Sequence, residues 1–143
     1  MKTEKPTTKI IAGKYKGKIL ELPALDVTRS SRARLKESLF NVLQFDIIDK
    51  IFIESFAGSG SIGLEAISRG AKRAYFIEKD RNSYQILLKN CKAVEMEKCQ
   101  TVQANTLVQT PLILDFLKSS KDEIVLYVDP PFDYRDGMED VYR

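Results

Sequence analysis

The 143-residue chain has no histidine and only two cysteines, Cys91 and Cys99. Without histidine, no Ser-His or Cys-His nucleophile system can be assembled. Two cysteines alone fall short of the usual ligand sets, so no metal is expected. The N-terminal stretch "MKTEKPTTK" is polar and leads into no apolar segment of the kind a secretory signal carries. No apolar run approaches the length of a membrane span. The expectation is a cytoplasmic protein, away from membranes, with both cysteines as free thiols. Internal repeats and low-complexity segments are also missing.

What is present is ordinary for a soluble domain: 43% apolar residues and 30% charged, in a chain long enough to bury a core. The charge is unevenly spread. Residues 1–36 carry ten Lys/Arg against three acids, a net of +7, while residues 37–143 carry 13 against 17, a net of −4. A basic segment of this kind either meets a polyanion or is a solvated tail. The chain therefore divides into a basic N-terminal arm, 1–36, and a main domain, 37–143. Nothing in it demands more than a monomer.

"KIIAGKYKGKILELP" (9–23) reads as two short strands broken at Gly13 or Gly17. In an extended chain Lys14, Lys16 and Lys18 alternate, so their ammonium groups share one face. The segment 26–43 enters a helix after the cap candidates Ser30 and Ser31. Leu35, Leu39, Val42 and Leu43 follow i, i+4, i+7, i+8 and are its expected buried stripe. Arg32 and Lys36, one turn apart, are expected on an exposed face that extends the basic surface. From Lys50 onward strands and helices alternate. Strands are predicted over 51–56, 73–78, 100–104 and 123–128, and helices over 61–69, 81–94 and 110–118. This alternation predicts an α/β fold with a parallel sheet and helices on both faces. In a sheet ordered 3-2-1-4, counting these four strands, the fourth lies beside the first, and ligands bind at the carboxyl ends.

The first of these strands runs into "FAGSGSIG". Gly58, Gly60 and Gly63 match G-x-G-x-x-G, and Glu78 follows Gly58 by 20 residues at the end of the next strand. Taken alone, this is the dinucleotide fingerprint and favours NAD; the bland alternative is a tight turn with Glu78 as a helix-start acid. Glu54 tilts the reading away from NAD. A carboxylate inside an apolar strand is costly unless paired or met by a ligand group. The ammonium of S-adenosylmethionine would be such a partner, whereas the pyrophosphate of NAD would be repelled. The last strand runs into "VDPPFD". Pro130 and Pro131 make a stiff, extended stub with Asp129 at its base and Phe132 at its tip. Such a stub can aim a carboxylate and a carbonyl at the exocyclic amine of a planar base while the ring stacks on that base. An incidental proline-punctuated strand exit is the alternative.

"ESFAGSG" followed by "DPPF" resembles the S-adenosylmethionine-dependent amino-methyltransferases with a Rossmann-like fold. "IIAGKYKG", "TRSSRARLKESLFN", "ESFAGSGSIGLEAISRGA", "FIEKD" and "VDPPF" together resemble the RsmD-like bacterial small-subunit ribosomal RNA guanine-N2 methyltransferases. The resemblance covers most of the chain. It implies that Glu54, Phe56, Ala57, Gly58, Ser59 and Gly60 surround the methionine part of S-adenosylmethionine, that Glu78 holds its ribose, and that Asn105 contacts adenine. It implies that Asp129 and the Pro130 carbonyl hold the guanine amine, with Pro131 stiffening the stub and Phe132 stacked on the base. It further implies that Lys14, Lys16, Lys18, Arg29, Arg32 and Arg34 meet phosphates of 16S ribosomal RNA, in the small subunit. Two departures stand out. The family reads R-P-T-x-D-R where this chain has Arg29 through Arg34 without the proline or the acid. The chain also stops eleven residues after Phe132, where the family continues with a helix and the last strands, so the fold is expected to be C-terminally incomplete. Three rivals remain: an adenine-N6 methyltransferase acting on DNA or RNA, an NAD-dependent dehydrogenase resting on the glycine loop alone, and an RNA-binding module with an incomplete active site.

Overall fold

The computed structural model describes residues 6–23 and 29–130, including all of their side chains except those of 29–33. In chain order the elements are β1 (Thr7–Lys9), β2 (Ile19–Glu21), α1 (Arg29–Leu43), β3 (Ile51–Ser55), α2 (Ser61–Ser68), β4 (Arg73–Glu78), α3 (Arg81–Val94), β5 (Cys99–Gln103), α4 (Thr106–Phe116) and β6 (Ile124–Val128). β3 to β6 form one parallel sheet in the order β5-β4-β3-β6. This is the α/β fold expected from the alternating pattern, in the strand order 3-2-1-4 assumed for it.

Alternation along the strands sorts the core into two layers. Phe52 on β3 and Ala74 and Phe76 on β4 face a cluster that includes Phe40 of α1, Leu64 of α2 and Leu87 of α3. Ile51, Ile53, Tyr75 and Ile77 face Ile113 of α4 and Leu117. Helices therefore cover both faces of the sheet, and every residue of β3 is buried, as befits a central parallel strand. The thiols of Cys91 and Cys99 are free and buried; the contact between them, together with burial, holds the Cys91 thiol protonated and hence unreactive.

β1 and β2 pair antiparallel as the expected hairpin. The boundary placed at 36/37 falls inside α1, and Ile10 and Leu20 of the hairpin segment belong to the same buried cluster as Phe52. The alternating lysine face does not form. Residues 14–17 are a turn, because Gly13 and Gly17 take φ of +92° and +89° and interrupt the extended chain. Lys14, Lys16 and Lys18 are nonetheless all exposed. The Gly13 position has a second cause: a Cβ there would overlap the Ser68 carbonyl of α2, to which Lys14 N donates at 2.8 Å.

The buried stripe of α1 matches the expected one only in part: Leu39 and Leu43 are half-buried and pack against the core, but Leu35 and Val42 do not. Leu35 is 47% exposed and Val42 80%, whereas Lys36 is 2% exposed and Phe40 fully buried. The helix is rotated so that Lys36 and Phe40, one turn apart, face α2, and Lys36 does not share an exposed face with its neighbours. Its Nζ donates to the Lys9 carbonyl at 2.9 Å and lies 3.5 Å from Glu65 Oε1. Glu65, itself fully buried, accepts from Ile11 N at 2.9 Å, Ala12 N at 3.1 Å and Arg69 Nε at 2.8 Å. Burial pushes the Lys36 ammonium below its ordinary value while Glu65 pulls the other way. A lysine is tolerated here because a carboxylate and a carbonyl replace the water it lost. The helix is already formed at Arg29, so Ser30 and Ser31 lie within it.

The hairpin turn is tied down a second time. The Tyr15 hydroxyl donates to Glu95, and Lys98 and Lys14 stand 3.6 Å and 3.8 Å from the same carboxylate. The Tyr15 bond, then these cations, hold the Glu95 carboxyl below its ordinary 4.5, against the opposing effect of burial. The same bond, joined by burial, raises the Tyr15 hydroxyl above 10.0. A depressed carboxyl stabilises the fold above its unfolded pKa and loses that contribution as pH falls through the folded value. A raised phenol stabilises below its unfolded pKa and loses its contribution above it. The stability difference between the native chain and Tyr15→Phe should thus be level between about pH 5 and 9 and shrink on either side. Denaturant titrations across pH check this; a difference that does not vary with pH would contradict it.

Candidate active site

The carboxyl ends of β3, β4, β5 and β6 converge on one edge of the sheet, and each of the expected acids or amides there has a defined place. Glu54, on β3, is 3% exposed. Its Oε1 accepts from Gly63 N in the first turn of α2 at 2.8 Å. This is a helix N-terminus, where backbone N–H groups lack partners and a negative charge is favoured. A Cβ at Gly63 would overlap the ring of Phe76 and stand 3.1 Å from Glu54 Oε1, so glycine allows both close approaches. The glycine serves close packing of helix on strand. Phe56, directly after β3, takes φ of +57°, a backbone state unusual for a residue with a side chain and associated with binding sites.

Glu78, at the end of β4, bridges two backbone segments. Oε1 accepts from Gly58 N at 2.7 Å and Oε2 from Asp80 N at 2.9 Å. An ionised carboxylate has about four acceptor positions, so both oxygens keep capacity for a ligand hydroxyl. Asp80 then caps α3 by accepting from Ser83 N at 2.9 Å. Asn105, after β5, caps α4 by accepting from Leu107 N at 2.9 Å. This cap starts the helix at Thr106 rather than at the expected 110 and leaves Pro111 inside it. The Asn105 amide NH2 is not used by the cap.

Phe56, Glu78, Asp80, Asn105, Thr106 and Leu107 line a cleft of about 520 Å³, within the range of small-molecule sites. Thr106 Oγ1 is, among the described residues, a buried side-chain oxygen with no hydrogen-bond partner, a state native proteins seldom leave unexplained. A nucleoside fits this lining: a carboxylate for ribose hydroxyls, an amide and a hydroxyl for a base edge, and Phe56 and Leu107 as apolar walls.

Beside it, a recess of about 20 Å³ gathers Glu54, Phe56, Ala57, Ser59, Tyr127 and Asp129, with Leu35 on its border. Phe56 belongs to both spaces. The structure thus brings together Glu54, Phe56, Ala57, Ser59 and Asp129, and groups Glu78 with Asn105 in the adjoining cleft. Sequence reading missed Leu35 as a site residue, having assigned it to the core. Its position on the leucine stripe gave no signal, since only the rotation of α1 moves it to the recess. Pro130 is described and half-buried. Pro131 and Phe132 lie outside the described residues, as do the side chains of Arg29 and Arg32, while Arg34 is exposed. Among the described residues no group of three or more His, Cys, Asp or Glu is placed to hold a metal, and no helix is long and apolar enough to cross a membrane.

A family model described as conserved hypothetical protein 95 matches residues 8–143. The chain belongs to this family, the RsmD family. The Haemophilus influenzae protein named ribosomal RNA small subunit methyltransferase D is 38% identical over 133 residues, covering 91% of this chain and 66% of the relative. The Escherichia coli K12 protein of the same name is 36% identical over 125 residues, covering 87% of this chain and 60% of the relative. The solved structure of the Escherichia coli protein yhhF superposes with a TM-score of 0.71 at 35% identity, covering 90% of this chain and 66% of that one. The chain therefore spans 60–66% of the length of these two curated RsmD-family relatives.

Proposed function

We propose that this chain carries the cofactor site and the amine-holding stub of an S-adenosylmethionine-dependent methyltransferase acting on the N2 amine of a guanine in small-subunit ribosomal RNA. The observation that carries the reading is the joining of two spaces through Phe56. One is a nucleoside-sized cleft with Glu78 and Asn105, and the other a carboxylate-lined recess with Glu54 and Asp129. The names of the curated relatives support the substrate class.

The cofactor supplies, when bound, a methyl group made electrophilic by a sulfonium. The chain's own residues bind and orient. Glu54 presents a buried carboxylate to an ammonium, a pairing a pyrophosphate could not make. Glu78 accepts ribose hydroxyls, and Asn105 and Thr106 meet the adenine edge. Asp129 and the Pro130 carbonyl each accept one hydrogen of the guanine amine, which leaves its lone pair directed away from both. As the C–N bond forms and the S–C bond breaks, the amine sheds one proton to Asp129 or to water. Orientation and proximity supply most of the acceleration. The base must leave its stack at a cost of a few kcal/mol, offset in part by stacking on Phe132. Lys14, Lys16, Lys18, Arg29, Arg32 and Arg34 supply salt-dependent, sequence-independent affinity for phosphates. Base identity must therefore come from the pocket or from the RNA's shape.

The test is incubation with methyl-labelled S-adenosylmethionine and small ribosomal subunits from cells lacking the activity, followed by nucleoside separation, with cofactor binding measured separately by calorimetry. Label in N2-methylguanosine is expected. Label in N6-methyladenosine would retain the chemistry and overturn the substrate. Absence of both label and cofactor binding would overturn the reading altogether.

A further inference from the structure

A side-chain amide offers two donors and an acceptor, and a buried one must place them. Asn90, on α3, is 3% exposed. Its Oδ1 accepts from Glu21 N at 3.0 Å, and its Nδ2 donates to Glu21 O at 2.9 Å and to Ser59 O at 2.9 Å. Glu21 is the last residue of β2 in the hairpin. Ser59 lies between Gly58 and Gly60 and borders the recess of Glu54 and Asp129. One side chain on a third element thus joins the backbone of the hairpin to the backbone of the glycine loop. Neither the cleft nor the recess includes Asn90 among its lining residues.

We propose that Asn90 is a positioning residue: it sets the glycine loop from the hairpin, so that the loop's backbone stands where the cofactor needs it. This inference rests on the methyltransferase reading. On the sheet side the loop is held by Glu78 at Gly58 N and by Glu54 at Gly63 N. Those bonds take N–H donors, one in the loop and one in the first turn of α2. Asn90 holds a loop carbonyl, that of Ser59, a demand that an ionised acid cannot meet; the Ala57 and Gly60 carbonyls are held by backbone donors instead. The three bonds use both donors and the acceptor, so no other common side chain of this length reproduces them. A basic hairpin that meets RNA and a loop that meets the cofactor are then registered to each other through one amide.

Asn90→Asp keeps the acceptor for Glu21 N and removes both donors, while Asn90→Leu removes all three bonds and keeps the bulk. Calorimetry with S-adenosylmethionine should find binding weakened about tenfold in both, as expected for a buried carbonyl left without its donor. Affinity for a 16S rRNA transcript should change less than about twofold on the same energy scale. Cofactor affinity within about twofold of the native chain would overturn the inference. So would equal losses of RNA and cofactor affinity that track a fall in Tm. If neither variant folds, hydrogen exchange on the native chain decides. Adding S-adenosylmethionine should slow exchange of the Glu21 amide along with that of the loop, although Glu21 lines neither the cleft nor the recess. Slowing in the loop without slowing at Glu21 would overturn this inference alone. No cofactor binding by the native chain would overturn the parent reading and this one with it.

Discussion

Glu65→Ala should lower the unfolding free energy by about 3–5 kcal/mol, the range for removing one partner of a buried ion pair. Glu65 is fully buried and holds four groups: Ile11 N, Ala12 N, Arg69 Nε and the Lys36 ammonium. Arg69 retains its contact over the Phe40 ring, 4.9 Å from the centroid, and can turn toward water. Lys36 cannot, since it is 2% exposed and, among the described residues, keeps the Lys9 carbonyl as its hydrogen-bond acceptor, with the Glu54 carboxylate as a weaker favourable charge. The loss would be a large share of a total stability of about 5–15 kcal/mol. Urea denaturation at neutral pH measures it. Lys36→Met in the Glu65→Ala background should recover part of the loss, because it removes the uncompensated cation. The two hairpin amides stay unsatisfied, so recovery should be incomplete. A single-variant effect below about 1 kcal/mol would mean that the pair is not buried as described.

Asp129→Ala should cut turnover by about 10²–10³-fold, the scale of losing one group that acts on charge developing in the transition state. On the proposed mechanism Asp129 holds one hydrogen of the attacking amine and offers a route for the proton. The carboxylate borders the recess with Glu54 and Phe56 but is absent from the lining of the nucleoside cleft. Cofactor affinity should therefore stay within a few-fold of native, a difference well under 1.4 kcal/mol. Single-turnover methyl transfer alongside cofactor calorimetry separates the two quantities. A joint loss of turnover and cofactor binding would assign Asp129 to the cofactor instead.

Local pattern sufficed for the sheet and for placing most of the candidate site residues at its strand ends. Strands 51–55, 73–78 and 124–128 are short, largely apolar runs bounded by turn signals and 99–103 is a more polar one; their alternation with helices predicts the parallel sheet, whose order is β5-β4-β3-β6. Glu54, the glycine loop, Glu78, Asn105 and Asp129 each sit at or just past the carboxyl end of a strand. A strand's end is legible from its own residues, so these candidates could be named one by one before any contact was known.

Only the tertiary structure decided what faces what on the other elements. The stripe Leu35-Leu39-Val42-Leu43 is a sound amphipathic pattern, yet the helix turned Lys36 inward. The reason is the Glu65 carboxylate on α2, distant in sequence, which makes a buried lysine tolerable and orients α1 about it. The same holds for the lysines of the hairpin turn, where two positive-φ glycines and the Ser68 carbonyl bend a chain whose alternation alone suggested a strand. Asn90 carried no local signal at all. An asparagine on an amphipathic helix reads as a solvated residue, and its three backbone partners come from two segments far from it along the chain. Hydrophobic period and turn chemistry are properties of neighbouring residues and survive in the linear sequence. The pairing of buried polar groups is a property of residues that only folding brings together.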